Sequence, residues 1–181
     1  MYNQRNWRDI LSEKPKDMTR VDYAVTLPKP DEDYMTTYRI NRAKRNLRRF
    51  NELYRNGRTE VYDERHISDP ATQMHHIFPA GDYPVIADYL ENLIALTPTQ
   101  HFSYAHPDNN TRYIDRAYQY MCLLSKTGTI RDNLLNDRGE PIVYDFCLYQ
   151  KVLNTGLHTK EFSDVKAMDF EGLLDLIEKY Y

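Results

Sequence analysis

Cysteine is scarce: Cys122 and Cys147 are the two in 181 residues. They make neither a disulfide framework nor a Cys-x-x-Cys metal knuckle, and both are expected to sit reduced in apolar faces. Long apolar runs are missing as well. No stretch approaches the ~20 residues of a membrane span, and Met1 to Lys16 spreads charges where a signal peptide would have an apolar core. The expectation is a cytoplasmic protein with no membrane partner. Internal repeats and low-complexity tracts are absent too, which excludes solenoid and linker-like classes. A net charge of −3 gives no overall attraction for phosphate. What is present is 41% hydrophobic residues against 28% charged ones, enough for a single core at a length short for two full domains. Tyrosine, at sixteen, exceeds ordinary usage.

The distribution of charge is more informative than its sum. From Arg39 to Arg58 there are eight basic residues and one acid, Glu52, so this segment carries +7 and the remainder −10. Such asymmetry would confine a polyanion to one surface. The same segment has apolar residues at spacings of three and four, with no Gly or Pro between Asp33 and Asn56, which predicts an amphipathic helix ended by Gly57. Arg42, Arg45 and Arg49 would share one side, with Arg48 nearby and Lys44 in the same run. Alone, the stripe reads as a solvated face or a partner for acidic surface elsewhere; beside a nuclease motif, it reads as a DNA contact.

That motif is a set of histidines. His75 and His76 are adjacent, Asn92 lies sixteen positions after His76, and His101 follows nine later, each within a short apolar stretch. Phosphodiester hydrolysis requires a proton acceptor for the attacking water, a counter-charge for the pentacoordinate phosphate and stabilisation of the departing 3′ oxygen. Imidazole accepts a proton at neutral pH, and a divalent cation meets the other two demands. Taken singly, each His or Asn is an ordinary surface, core or turn residue. Their joint occurrence before Ile-x-Pro, before an apolar strand and after Thr-Pro is what points to a site. His66 and His158 have no motif around them and are expected on the solvated surface.

Residues 72 to 106 resemble the H-N-H motif of the ββα-metal nucleases, the HNH endonuclease superfamily. The resemblance implies that His75 binds metal, that His76 is the general base, that Asn92 orients the base or its loop, and that His101 at the helix start is a second ligand. Thr97-Pro-Thr-Gln-His101 is similar to the helix start of the subgroup that includes the colicin-type nucleases, where a further ligand lies four residues on. Here the next histidine is His106, five on. At about 100° per residue an α-helix would turn it some 140° away from His101, and a local break before Pro107 would be needed to bring it back. One divalent metal is implied, magnesium or manganese for activity, while all-imidazole ligation suits zinc, nickel or manganese better than magnesium. Second-shell acceptors for the ligand rings are expected, with Asp82, Asp88 and Glu91 near in sequence. The segment from Glu91 to Leu123 is similar to HNH domains of restriction endonucleases, which implies a restriction enzyme or its cleavage domain. A homodimer or a separate recognition domain would then be a partner. A non-catalytic nucleic-acid-binding module and a nonspecific DNA or RNA nuclease remain open as alternatives.

The expected fold is α+β, mostly helical, in a single domain over 1–181. It divides into an N-terminal helical region with the basic helix (1–58), a ββα-metal segment (59–111) and a helical scaffold (112–181). Asn6 to Glu13 is expected as a short helix, Thr26 to Asp33 as a connector and Thr59 to Arg65 as a strand or extended lead-in. Met74 to Phe78 and Leu93 to Leu96 are the predicted strands, with a short helix from the Gly81–Pro84 turn to Leu90 and another starting at Pro98. Helices are predicted over Tyr113–Ser125, Tyr144–Leu153 and Met168–Tyr180, with a less regular region between Gly128 and Gly139.

Overall fold

A computed structural model describes residues 14–19, 22–23, 26, 32–66, 68–107, 110, 113–136 and 138–181. The helix expected over Asn6 to Glu13 and most of the Thr26–Asp33 connector lie outside them. The chain divides into two compact units, Met1–Met35 and Thr36–Tyr181. In the first, Thr19 and Asp22 close a local turn, Thr19 Oγ1 donating to Asp22 Oδ2 at 2.6 Å. The second unit holds the core and every candidate site residue.

The second unit is mostly helical around one small antiparallel sheet. Its helices are α1 (Glu32–Tyr54, beginning just before the unit), α2 (Arg116–Leu135), α3 (Phe146–Gly156) and α4 (Phe170–Lys179), and its strands are β1 (Gln73–His76) and β2 (Leu93–Leu96). Helix α1 matches the predicted periodicity. Ala43, Leu47 and Phe50 are buried along one side, and Asn56 and Gly57, at φ 56° and 63°, end the helix in the left-handed region that these two residue types tolerate best.

The strands pair with Gln73 opposite Leu96 and His76 opposite Leu93. All four residues of β2 are fully buried, which explains why Leu93-Ile-Ala-Leu96 reads as an unbroken apolar run and does not alternate. On its other edge β2 is covered by the segment after α1: Glu60 N donates to Ala95 O at 2.9 Å and Ala95 N donates to Glu60 Oε1 at 2.8 Å. This segment is not a strand. Glu60 is in turn paired at 3.1 Å with Lys126, which is fully buried and also donates to the Tyr144 hydroxyl at 2.9 Å. Burial lowers the Lys126 pKa, and the Glu60 charge opposes that shift. Removing either partner would strand a charge in the core under the hairpin.

Three aspartates cap the helices behind the sheet. Asp115, Asp145 and Asp169 accept from Tyr118, Leu148 and Gly172 N–H groups at 2.8, 2.9 and 3.0 Å. Helix α2 begins later than predicted and runs straight through Gly128 to Leu135, because Tyr118, Cys122, Leu123 and Ile130 bury a continuous face that outweighs one glycine. Met121, expected in that stripe, is 45% exposed. Cys122 is buried as expected, whereas Cys147 is exposed on α3. In α3, Gly156 is required by close approach: a Cβ there would lie 2.4 Å from the Phe78 ring. No described helix is long and apolar enough to cross a membrane.

Candidate metal centre

His75, His101 and His106 converge. Their ring centroids are 5.1 Å (75–101), 5.0 Å (75–106) and 4.9 Å (101–106) apart, and one nitrogen from each lies within 4.8 Å of the other two. The three nitrogens form a group that could hold one metal ion. His75 comes from β1, and the other two come from the helical segment after β2. Thr97 and Gln100 start that segment, with Gln100 N donating to Thr97 Oγ1 at 3.2 Å and Thr97 N to Gln100 Oε1 at 3.1 Å.

The convergence of His106 corrects the α-helical expectation. Residues Gln100–Ala105 form a π-helical turn, closed by the His106 N–H donating to the His101 carbonyl at 3.1 Å. A π turn accommodates one residue more than an α turn, so a residue five positions on returns to the face it would otherwise leave. His106 itself, at φ −126° and ψ 78°, has left helical geometry, as the following Pro107 favours.

Hydrogen bonds fix which ring nitrogens are available. His106 Nδ1 lies 2.7 Å from the Tyr113 carbonyl oxygen. A carbonyl only accepts, so Nδ1 carries the proton and the Nε2 lone pair is left for a ligand role. His101 Nδ1 is buried with no hydrogen-bond partner among the described residues, an orphaned lone pair or N–H of the kind a metal ion or its ligand would satisfy. Burial, then the neighbouring His101 and His106 rings, hold the His75 pKa well below its ordinary value. Burial, then His106 and Lys44, push His101 down to about 4. His75 and His101 are therefore neutral at pH 7, which is the form that binds metal.

His76 is the neighbouring residue on β1 and points elsewhere, as adjacent strand residues do. Its Nε2 lies 2.9 Å from the Ala87 carbonyl oxygen, so Nε2 carries the proton and Nδ1 presents a lone pair. Burial, then the Lys44 charge, push its pKa down to about 4, against the opposing pull of the Ala87 carbonyl.

Asn92 is fully buried and makes no hydrogen bond to the His76 ring. Its Oδ1 accepts from Phe78 N at 2.9 Å, and its Nδ2 donates to Phe78 O at 3.0 Å and to Ile86 O at 3.3 Å. Of the two roles expected for it, holding the loop is the one the geometry supports: it clamps both ends of the segment between the strands, next to the Ala87 carbonyl.

The five basic residues expected to contact DNA all lie on α1. Arg42, Arg45 and Arg49 are exposed, while Lys44 is half-buried and Arg48 donates from Nη2 to the Thr72 carbonyl at 3.0 Å, one residue before β1. At about 100° per residue, Lys44 and Arg48 lie about 40° apart, with exposed Arg48 about 60° from Arg45 and half-buried Lys44 turned further toward the buried side. Arg39 pairs with Asp88 at 3.5 Å and Arg55 with Glu140 at 2.6 Å, so neither belongs to the free stripe.

None of the acids considered as second-shell acceptors serves the described rings. Asp88 is taken by Arg39, and buried Glu91 accepts from Asp145 N at 2.9 Å; burial raises its pKa. Backbone carbonyls of Ala87 and Tyr113 do the work instead, and these carry no sequence signature. His66, expected in solvent, is 14% exposed and bridges Asp69 at 2.9 Å and the Tyr104 hydroxyl at 3.3 Å, whereas His158 is exposed as expected. No protein-family model, curated protein or solved structure matches the chain.

Proposed function

We propose that the protein is a one-metal endonuclease of the HNH type that hydrolyses DNA phosphodiester bonds. The observation that carries this reading is the pairing of two functions on adjacent residues of one strand. His75 points into a three-imidazole cluster, and His76, tied by Nε2 to a backbone carbonyl, presents a free Nδ1 lone pair.

Three imidazoles leave coordination positions open, which is the pattern of catalytic and not of structural sites. His75, His101 and His106 would hold one divalent cation, which when bound supplies Lewis acidity to a phosphate oxygen and stabilises the departing 3′ oxygen. His76 Nδ1 takes the proton of the attacking water as its oxygen bonds to phosphorus and the bond from phosphorus to the 3′ oxygen breaks. A ring with a pKa near 4 is unprotonated at neutral pH and available throughout. Asn92 keeps that ring in place by clamping the loop that carries its acceptor. Arg42, Arg45 and Arg49 offer a screened but sequence-independent attraction for flanking phosphates. Magnesium or manganese is the family's usual activator, while the donor set favours zinc or nickel. A restriction enzyme or its cleavage domain is the specific form proposed. Cutting both strands then calls for a dimer, successive nicks or a recognition domain beside this one.

Incubation of supercoiled plasmid with each of the four metals, against EDTA, tests this reading. Metal-dependent nicking or linearisation is expected, with discrete fragments if cutting is site-specific. Plasmid that is bound and left intact under every metal would favour a non-catalytic binding module.

A further inference from the structure

The π turn over Gln100–Ala105 is a rare geometry, and contacts from outside it are what would hold it against relaxation to an α-helix. The segment between α1 and β1 supplies such contacts at two residues one turn apart. At the first, Gln100 Nε2 donates to the Val61 carbonyl at 3.1 Å and Gln100 Oε1 accepts from the Thr59 hydroxyl at 2.5 Å. At the second, His66 Nε2 lies 3.3 Å from the Tyr104 hydroxyl, and His66 Nδ1 lies 2.9 Å from Asp69 Oδ2.

A carboxylate accepts, so in the neutral His66 ring Nδ1 carries the proton, Nε2 presents a lone pair and the Tyr104 hydroxyl donates to it. Asp69 N also donates to the His66 carbonyl at 3.0 Å, which closes the loop that aims the ring. The Tyr104 ring is held as firmly as its hydroxyl. The Arg65 guanidinium, fixed on the Asp63 carboxylate by bonds of 3.0 and 2.9 Å, lies 5.5 Å from its centroid, and the Tyr118 ring of α2 packs against it at 5.8 Å. Tyr104 stands between His101 and His106, the two ligand candidates that the turn carries, while His66 is not one of the clustered rings. We infer that His66, oriented by Asp69, is a positioning residue for the metal centre: by holding Tyr104 it keeps the turn that brings His106 opposite His101. Release of Tyr104 would let the turn relax toward α-helical spacing, carry His106 away and leave two imidazoles. The inference rests on the metal-centre part of the reading above and not on DNA cleavage.

The test titrates the full chain with cobalt(II), whose visible spectrum reports its ligands, in wild type, His66→Ala, His66→Gln and Tyr104→Phe. His106→Ala supplies the spectrum of a cluster without that ligand. Urea denaturation in EDTA identifies the variants that fold, and where His66→Ala does not, Tyr104→Phe, which loses one hydroxyl, carries the test. Cobalt affinity should fall about tenfold or more in His66→Ala and Tyr104→Phe, with the spectrum moving toward that of His106→Ala. His66→Gln, whose amide oxygen can accept from the Tyr104 hydroxyl, should recover most of both. Wild-type affinity in Tyr104→Phe and folded His66→Ala, or weaker binding with an unchanged spectrum, overturns the inference and leaves the metal centre standing. A wild-type chain that takes up no cobalt overturns the metal centre and the inference with it.

Discussion

The His106 N–H donates to the His101 carbonyl, five residues back, at 3.1 Å. That bond closes the π turn over Gln100–Ala105 that brings His106 back to the cluster. If the turn is an α-helix with one residue inserted, deleting exposed Ser103 should restore four-residue spacing and keep the triad, whereas inserting an alanine after Ser103 should break it. Metal titration of the two variants checks this: near-wild-type affinity in the deletion, and a loss of at least 10²-fold in the insertion. That loss is on the order of or greater than what outer-shell changes cause.

Asn92 makes three hydrogen bonds from a fully buried position, two of them to the backbone of Phe78. Asn92→Ala leaves the Phe78 N–H and C=O without partners, and each unsatisfied buried group costs about 1–3 kcal/mol. A stability loss of roughly 2–4 kcal/mol is expected by urea denaturation. Because the clamp sits on the loop that carries Ala87, the variant should also lose turnover under conditions where it remains folded, with metal affinity less affected.

The histidine pKa values make the metal-free protein acid-sensitive in a defined window. His76 and His101 fall from an ordinary value of 6.5 to about 4 on folding, so below pH 6.5 the unfolded chain binds protons that the folded one refuses. Their contribution is constant above that pH and is lost progressively as pH falls toward 4. Buried Glu91, whose pKa is raised, contributes with the opposite sign. Thermal melts in EDTA between pH 8 and 4 should therefore show a steeper acid decline in wild type than in His76→Gln, the difference isolating that ring. Melting temperatures of the two that run parallel across the window would contradict the shift.

The parts legible in the sequence are those with local chemistry. The basic helix followed from its periodicity and the Asn56-Gly57 stop, and the second strand from Leu93-Ile-Ala-Leu96. The juxtaposition of His75 with His101 follows the expected hairpin and helix. The illegible parts depend on backbone. An α-helix would direct His106 away from His101, and nothing in Gln100 to Ala105 marks a π turn. The ring acceptors looked like acids, yet they are the carbonyls of Ala87 and Tyr113. Lys44 looked equivalent to the arginines around it until the packing of α1 placed it at the edge of the buried side. Gly128 suggests a break that the buried face of α2 overrides, and Cys147 is exposed in a helix whose buried residues are Phe146, Tyr149, Val152, Leu153 and Gly156.

The division of labour between His76 and the cluster is tested most directly by comparing His76→Ala and His101→Ala in plasmid cleavage, with bound metal quantified in the same samples. His76→Ala should keep its metal and lose on the order of 10²-fold or more in rate, as expected for removing a general base. His101→Ala should lose the metal and the activity together. A His76→Ala protein that carries its metal and cuts at the wild-type rate would contradict the account.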